Sequence, residues 1–165
     1  MSKNTLLITQ AAAIGAVYVV LTLVFAPISY GEVQIRISEA LTILPFFTPA
    51  AIPGLFVGCL IANFIGGAIL PDIVFGSIAT LIGAAGTYLL RQNRFLAPLP
   101  PIISNTLIVP LVLKYGYGLP LPLPLIMVFI AAGEFISCYV LGEFLLTLLL
   151  KYKTLIFAGN ANRIH

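Results

Sequence analysis

From Leu6 to Phe25 the chain carries no charged side chain, and about 20 apolar residues are what a helix needs to cross the hydrocarbon core of a bilayer. Comparable apolar runs recur along the sequence. Charged residues are 8% of the chain, against about 25% in a typical soluble domain. With a mean hydropathy of +1.14, the expectation is a polytopic, all-α membrane protein. The 165 residues suffice for a single integral membrane domain, 1–165. The net charge of +3 does not mark a nucleic-acid binder, because the eight basic residues are scattered at the ends of apolar segments rather than clustered on one face. Lys3 ahead of the first run imitates a signal peptide. The run is long enough to span, no clean A-x-A site follows, and the rest of the chain is equally apolar, so an uncleaved first helix is expected. Cys59 and Cys138 both fall in apolar segments, where inert buried thiols are the expectation rather than a disulfide.

Turn and breaker residues divide the chain into six expected helices. The first covers about 5–26 and ends at Pro27 and the polar stretch SYGEVQ. The second, about 37–47, is too short to cross alone and is broken by prolines. The third begins between Pro49 and Pro53, after Thr48-Pro49 as a cap, and covers about 50–67. The fourth covers about 72–90, followed by the polar loop RQNRF. The fifth covers about 100–113, and KYGYGLPLPLPL then reads as an extended, polyproline-like connection. The sixth covers about 124–150 and closes with Lys151 and Lys153. Six spans put both termini on one side. That side collects Lys3, Arg91, Arg94, Lys151, Lys153 and Arg163, against only Arg36 and Lys114 on the other. Basic residues in short loops stay inside, so both termini are expected in the cytoplasm.

Few polar residues lie at membrane depth. Glu134 falls well inside the sixth helix, where an acid costs about 2.5–3.5 kcal/mol on insertion scales and should face the bundle interior or a wet cavity. Glu39 falls near the outer end of the second helix with Arg36 one turn away, which alone suits a solvated helix terminus. Asn63 and Asn105 lie in the third and fifth helices, and buried asparagines commonly bridge helices for about 0.6 kcal/mol. Taken together, Glu39, Asn63, Asn105 and Glu134 come from four helices and fall in the middle or outer part of the membrane. Convergent polar groups in an apolar bundle are what a small polar ligand requires. Glu143 lies about 180° around the helix from Glu134 and is expected to meet headgroups or a partner. Asp72 opens the fourth helix, where a carboxylate complements the helix dipole.

Small residues recur every four positions on the third helix, at Gly54, Gly58, Ala62 and Gly66, a ridge that admits a close backbone. Ala12 and Ala16 form A-x-x-x-A on the first helix, which fits packing within the fold or a partner protein. No G-x-x-x-x-G-K-[ST] phosphate loop is present, the one histidine is His165, and neither a metal or haem ligand set nor a nucleophile with its base is visible. No enzyme activity and no cofactor are expected of this chain.

The segment IRISEALTILPFFTPAAIPGLFVGCLIANFIGG, with its S-E-A-L and spaced prolines, resembles the QueT family of queuosine-precursor transporters. These are substrate-binding S components of energy-coupling factor importers, and the resemblance extends over nearly the whole chain. It implies a six-helix S-component bundle that captures one micronutrient on the outer side, with the loop after the first helix as a lid. The implied partners are a transmembrane coupling subunit and two cytosolic ATPases, with Ala12 and Ala16 matching the A-x-x-x-A that contacts the coupling subunit. The implied substrate is a 7-deazaguanine such as 7-aminomethyl-7-deazaguanine. Such a ligand offers adjacent N–H donors to a carboxylate, a carbonyl to an asparagine amide, and a cationic arm to a second carboxylate. Glu39 and Glu134 are expected to divide these roles, with Asn63 and Asn105 orienting the ring, Arg36 near the lid, and Tyr30, Tyr115 and Tyr117 available to stack. Other readings of the same residues are an S component for another vitamin or heterocycle, a proton-coupled secondary transporter with Glu134 as relay, and an assembly subunit with no ligand. No internal repeat of the kind such secondary transporters carry is evident.

Overall fold

The computed structural model describes residues 2–29 and 34–156, with side chains to residue 152. Tyr30, Arg163, His165 and the side chain of Lys153, all used in the sequence reading, lie outside that range. The described chain is all-helical: α1 (Lys3–Val24), α2 (Ala26–Ser29), a 3-10 helix (Ile37–Phe46), α3 (Ala51–Ile65), α4 (Leu70–Leu89), α5 (Leu99–Leu111), α6 (Leu123–Glu134) and α7 (Gly142–Ile156). A π-helical turn, Val112–Gly116, extends α5, and a second, Phe135–Leu141, joins α6 to α7. Among the described residues, four stretches are long and apolar enough to cross a membrane: Lys3–Val24, Leu70–Leu89, Leu99–Gly116 and Leu123–Tyr152. Large apolar side chains such as Ile8, Phe64 and Phe144 lie exposed on their outer faces, as expected of a chain whose solvent there is lipid.

Several expected boundaries shift for local reasons. The first helix does not stop at Pro27. After a turn at Phe25 the chain re-enters helix at Ala26, because proline is tolerated in a first helical turn where its missing N–H has no partner to lose. Ser29 Oγ closes this short helix by donating to the Phe25 carbonyl, 2.9 Å. The third helix starts at Ala51, and Thr48 Oγ1 accepts at 3.3 Å from the N–H of Ala50, the residue just before it. Pro71 lies in the first turn of α4. The expected extended connection KYGYGLPLPLPL is shorter than its sequence suggests. Lys114–Gly116 belong to the π turn and Leu123 onward to α6, leaving a non-helical link with Gly118 at positive φ and Pro122 extended. Its carbonyls at Leu119 and Leu121 accept from Lys114 Nζ at 3.4 and 2.8 Å.

The largest departure concerns the second helix. Ile37–Phe46 is a 3-10 helix rather than an α-helix, although runs of that kind beyond three or four residues are uncommon. Pro45 lies within it and removes a hydrogen bond that an α-helix there would need. The segment is not peripheral. It packs against α1, α3, α4, α7 and the π turn at Phe135–Leu141, and Ser38 to Ile43 are all buried. A rise of about 2.0 Å per residue carries a 3-10 helix about a third further than an α-helix of the same length. Thr22 Oγ1 donates to Ser38 Oγ at 2.6 Å, and a Gln10–Thr48 side-chain bond of 3.0 Å holds the other end against α1.

The small residues of α3 meet those of α1. A Cβ added at Gly54 would stand 2.6 Å from the Ala11 carbonyl, and one at Gly58 would stand 2.9 Å from the Gly15 carbonyl. Hydrogen in place of a methyl is therefore what lets the two backbones touch. Ala12 and Ala16 are not in this contact and lie exposed on the other side of α1.

Candidate functional site

Glu39 and Glu134 meet inside the bundle. The 3-10 helix carries Glu39 to the centre, where it is 1% exposed, and Glu134 ends α6 at 4% exposed. One carboxylate oxygen of each and Cys138 Sγ lie within 4.8 Å of one another. Cys138 stands one turn beyond Glu134 on the π segment, with Sγ 3.1 Å from Glu134 Oε2 and 3.5 Å from Thr42 Oγ1. Asn105, from α5, interacts electrostatically with both carboxylates, and Thr80, from α4, with Glu39. The Thr80 hydroxyl itself donates to the Gly76 carbonyl at 3.2 Å and lies 3.4 Å from Cys59 Sγ. The hydroxyl of Tyr18, fully buried on α1, donates to Glu39 Oε1. Glu39 Oε2 has no hydrogen bond among the described residues. The donor set of two carboxylates and a thiol is able to hold a metal ion, and equally an organic cation. Two carboxylates this close repel when both are charged, and a cationic group between them relieves that repulsion.

The reading of Arg36 and Glu39 as a solvated helix terminus is corrected by this geometry, since both are buried. Arg36 is 4% exposed and its Nε donates to the Ser29 carbonyl at 3.2 Å, so the guanidinium is turned inward rather than to water. It interacts electrostatically with Tyr18, Cys59, Asp72 and Glu39. The backbone leading into it is seated on α6, where a side chain at Gly133 would collide with the Gln34 carbonyl. Burial follows from the central course of the 3-10 helix, which the short proline-rich sequence does not reveal.

A family model described as QueT transporter matches residues 8–151. This chain belongs to the QueT transporter family. Over 77 residues it is 36% identical to the queuosine precursor transporter QueT of Lactococcus lactis subsp. cremoris (strain MG1363). That alignment spans 46% of this chain and 45% of the relative, so less than half the length of the curated protein is matched. No solved structure matches.

Not every expected residue of this QueT family member joins the carboxylate pair. Asn63, fully buried on α3, points to α4, its Nδ2 3.5 Å from the Asp72 carbonyl and 3.6 Å from Cys59 Sγ. Asp72 is more than a dipole partner: it is 2% exposed and accepts from the Tyr117 hydroxyl at 3.0 Å. Tyr117 also accepts from the Ile69 N–H at 3.3 Å, and partial burial raises its hydroxyl above the ordinary range, so it stays a donor. Tyr115 is exposed. Glu143 finds its partner within the chain, an ion pair of 2.8 Å with Arg94, whose Nη2 also donates to Thr147 at 2.7 Å. Headgroups and a partner protein are therefore not needed to explain it. Sequence reasoning passed over Tyr18, Thr42, Thr80 and Cys138. A signal existed for Tyr18: it stands one turn before Thr22 on the same face as Gly15, and all three are buried.

Proposed function

We propose that this chain is the substrate-binding S component of an energy-coupling factor importer, with a 7-deazaguanine queuosine precursor such as 7-aminomethyl-7-deazaguanine as its ligand. The observation that carries the reading is the buried pair Glu39–Glu134 with Asn105 against both, inside a QueT family chain. Buried carboxylates from two helices suit a cationic arm or N–H donors of such a ligand, and an asparagine beside them serves a carbonyl or a ring N–H. Asn63 and Arg36 belong to the same polar interior and orient the ligand. The curated relative's name, a queuosine precursor transporter, supports the substrate class.

The ATP-driven step falls to other chains. Ala12 and Ala16 form the contact with a transmembrane coupling subunit, which itself bears two cytosolic ATPases. Two things support this: the buried face of α1 is already occupied by α3, and the two alanines remain on the exposed side. The protein crosses the cell membrane six times with both termini in the cytoplasm, a reading supported by the excess of basic residues on the terminal side. Mass spectrometry of small molecules co-purifying with the chain, followed by calorimetric titration, tests the ligand. A 7-deazaguanine should be found, and Glu39→Gln and Glu134→Gln should each weaken its binding at least about tenfold, the loss expected for a hydrogen bond to a charged group. Unchanged binding in both variants would exclude the carboxylate pair as the site.

A further inference from the structure

One helix face of α4 carries Asp72, Gly76 and Thr80 at intervals of one turn, and all three are buried. Thr80 interacts with Glu39 of the carboxylate pair and donates to the Gly76 carbonyl at 3.2 Å. Asp72 stands two turns away, about 12 Å along the axis at 1.5 Å per residue. Around Asp72 is a second polar station. Asp72 is 2% exposed and Asn63 is 0% exposed, yet Asp72 Oδ1 and Asn63 Oδ1 have no hydrogen-bond donor among the described residues. Their other polar atoms are occupied, Asp72 Oδ2 by Tyr117 and Asn63 Nδ2 by Cys59 Sγ and the Asp72 carbonyl. Both side chains gather over Gly76, where an added Cβ would stand 3.0 Å from Asp72 Oδ1 and 3.3 Å from Asn63 Nδ2. A buried carboxylate oxygen and a buried amide oxygen without donors are costly to keep. What the station lacks is a pair of N–H donors.

We propose that Asp72 and Asn63 form a second ligand subsite that accepts the paired N–H donors of an aminopyrimidinone edge, while Glu39 and Glu134 hold the cationic arm at the other end of the same molecule. This rests on the transport reading above and assigns its two ends. Asp72 and Thr80 lie on one face of α4, so the two stations share one side of that helix. Gly76 lies at the Asp72 station, where its missing side chain leaves the place that Asp72 Oδ1 and Asn63 Nδ2 occupy. Arg36 interacts electrostatically with both Asp72 and Glu39, so one guanidinium is linked to both ends of the site.

The test is calorimetric titration of the purified full chain with 7-aminomethyl-7-deazaguanine and with its analogue lacking the exocyclic 2-amino group. Wild-type protein should bind the amino-bearing ligand at least about tenfold more tightly, the cost of leaving a charged acceptor without its donor. Asp72→Asn should weaken the amino-bearing ligand by about 10- to 100-fold and the analogue by no more than about threefold. Glu134→Gln should weaken both equally. Equal weakening of both ligands by Asp72→Asn would mean that Asp72 only anchors Tyr117, and would overturn the proposal, as would equal wild-type affinities. If Asp72→Asn does not elute as a folded species in gel filtration, Asn63→Ser and the wild-type preference decide by the same comparison. Wild-type protein that binds neither ligand overturns the transport reading and this subsite with it. Binding of both without discrimination overturns the subsite alone.

Discussion

Tyr18 shows how one side chain fixes a buried charge. Its hydroxyl is the protein donor that holds Glu39 Oε1, and both residues are essentially inaccessible to solvent. Removing that donor leaves a buried carboxylate oxygen unpaired, which costs about 1–3 kcal/mol. Tyr18→Phe should therefore lower the thermal unfolding midpoint of the detergent-purified protein, and a bound 7-deazaguanine should recover part of the loss by mass action. An unchanged midpoint would show that the bond carries no stability. Glu134 was legible in the sequence as an acid at membrane depth, and Glu39 only through its convergence with Glu134, Asn63 and Asn105 from other helices. Which of them meet was not legible. Asn105 lies against the carboxylates while Asn63 turns to Asp72, a division that depends on helix rotation within the bundle rather than on residue type.

Among the elements, the pairing of α1 with α3 and the course of the 3-10 helix position everything else. The α1–α3 contact needs glycine at Gly54 and Gly58, since any Cβ there meets backbone rather than a flexible side chain. Gly54→Val should destabilise the purified protein by about 1–3 kcal/mol, as overpacking of a close contact does, read as a fall in unfolding temperature. Val at Ala12, on the exposed face, should leave that temperature nearly unchanged. The four-residue recurrence on α3 was readable because spacing alone defines a helix face. The 3-10 geometry of Ile37–Phe46 was not. The ten residues ISEALTILPF, with Pro45 inside and Pro49 just beyond, fit several short conformations, and the choice follows from five neighbouring elements packed around the segment.

At the scale of the whole molecule, the chain is a helical membrane protein of the QueT transporter family, and the proposed mechanism makes it one component of a larger machine. Proteoliposomes holding this chain alone should accumulate no 7-deazaguanine under a proton gradient. Uptake should appear when the coupling subunit, its two ATPases and internal ATP are supplied; gradient-driven uptake by the chain alone would instead favour the secondary-transport reading with Glu134 as relay. The sequence by itself determined the class of solvent. Long uncharged runs are stable as helices in lipid, and the sparse charges mark loop sides and buried polar positions. It determined the family as well, through the motif-bearing segment from Ile35 to Gly67. Only the tertiary structure decided that Ile37–Phe46 runs through the centre, that Glu39 and Glu134 face each other, and that Asp72 is buried beside Asn63 instead of capping α4 in water. The physical reason is that hydrophobicity selects the environment of a segment but is nearly the same for every rotation and depth of a helix in an apolar bundle. Those degrees of freedom are set by close backbone contacts and by a few buried hydrogen bonds between residues far apart in sequence.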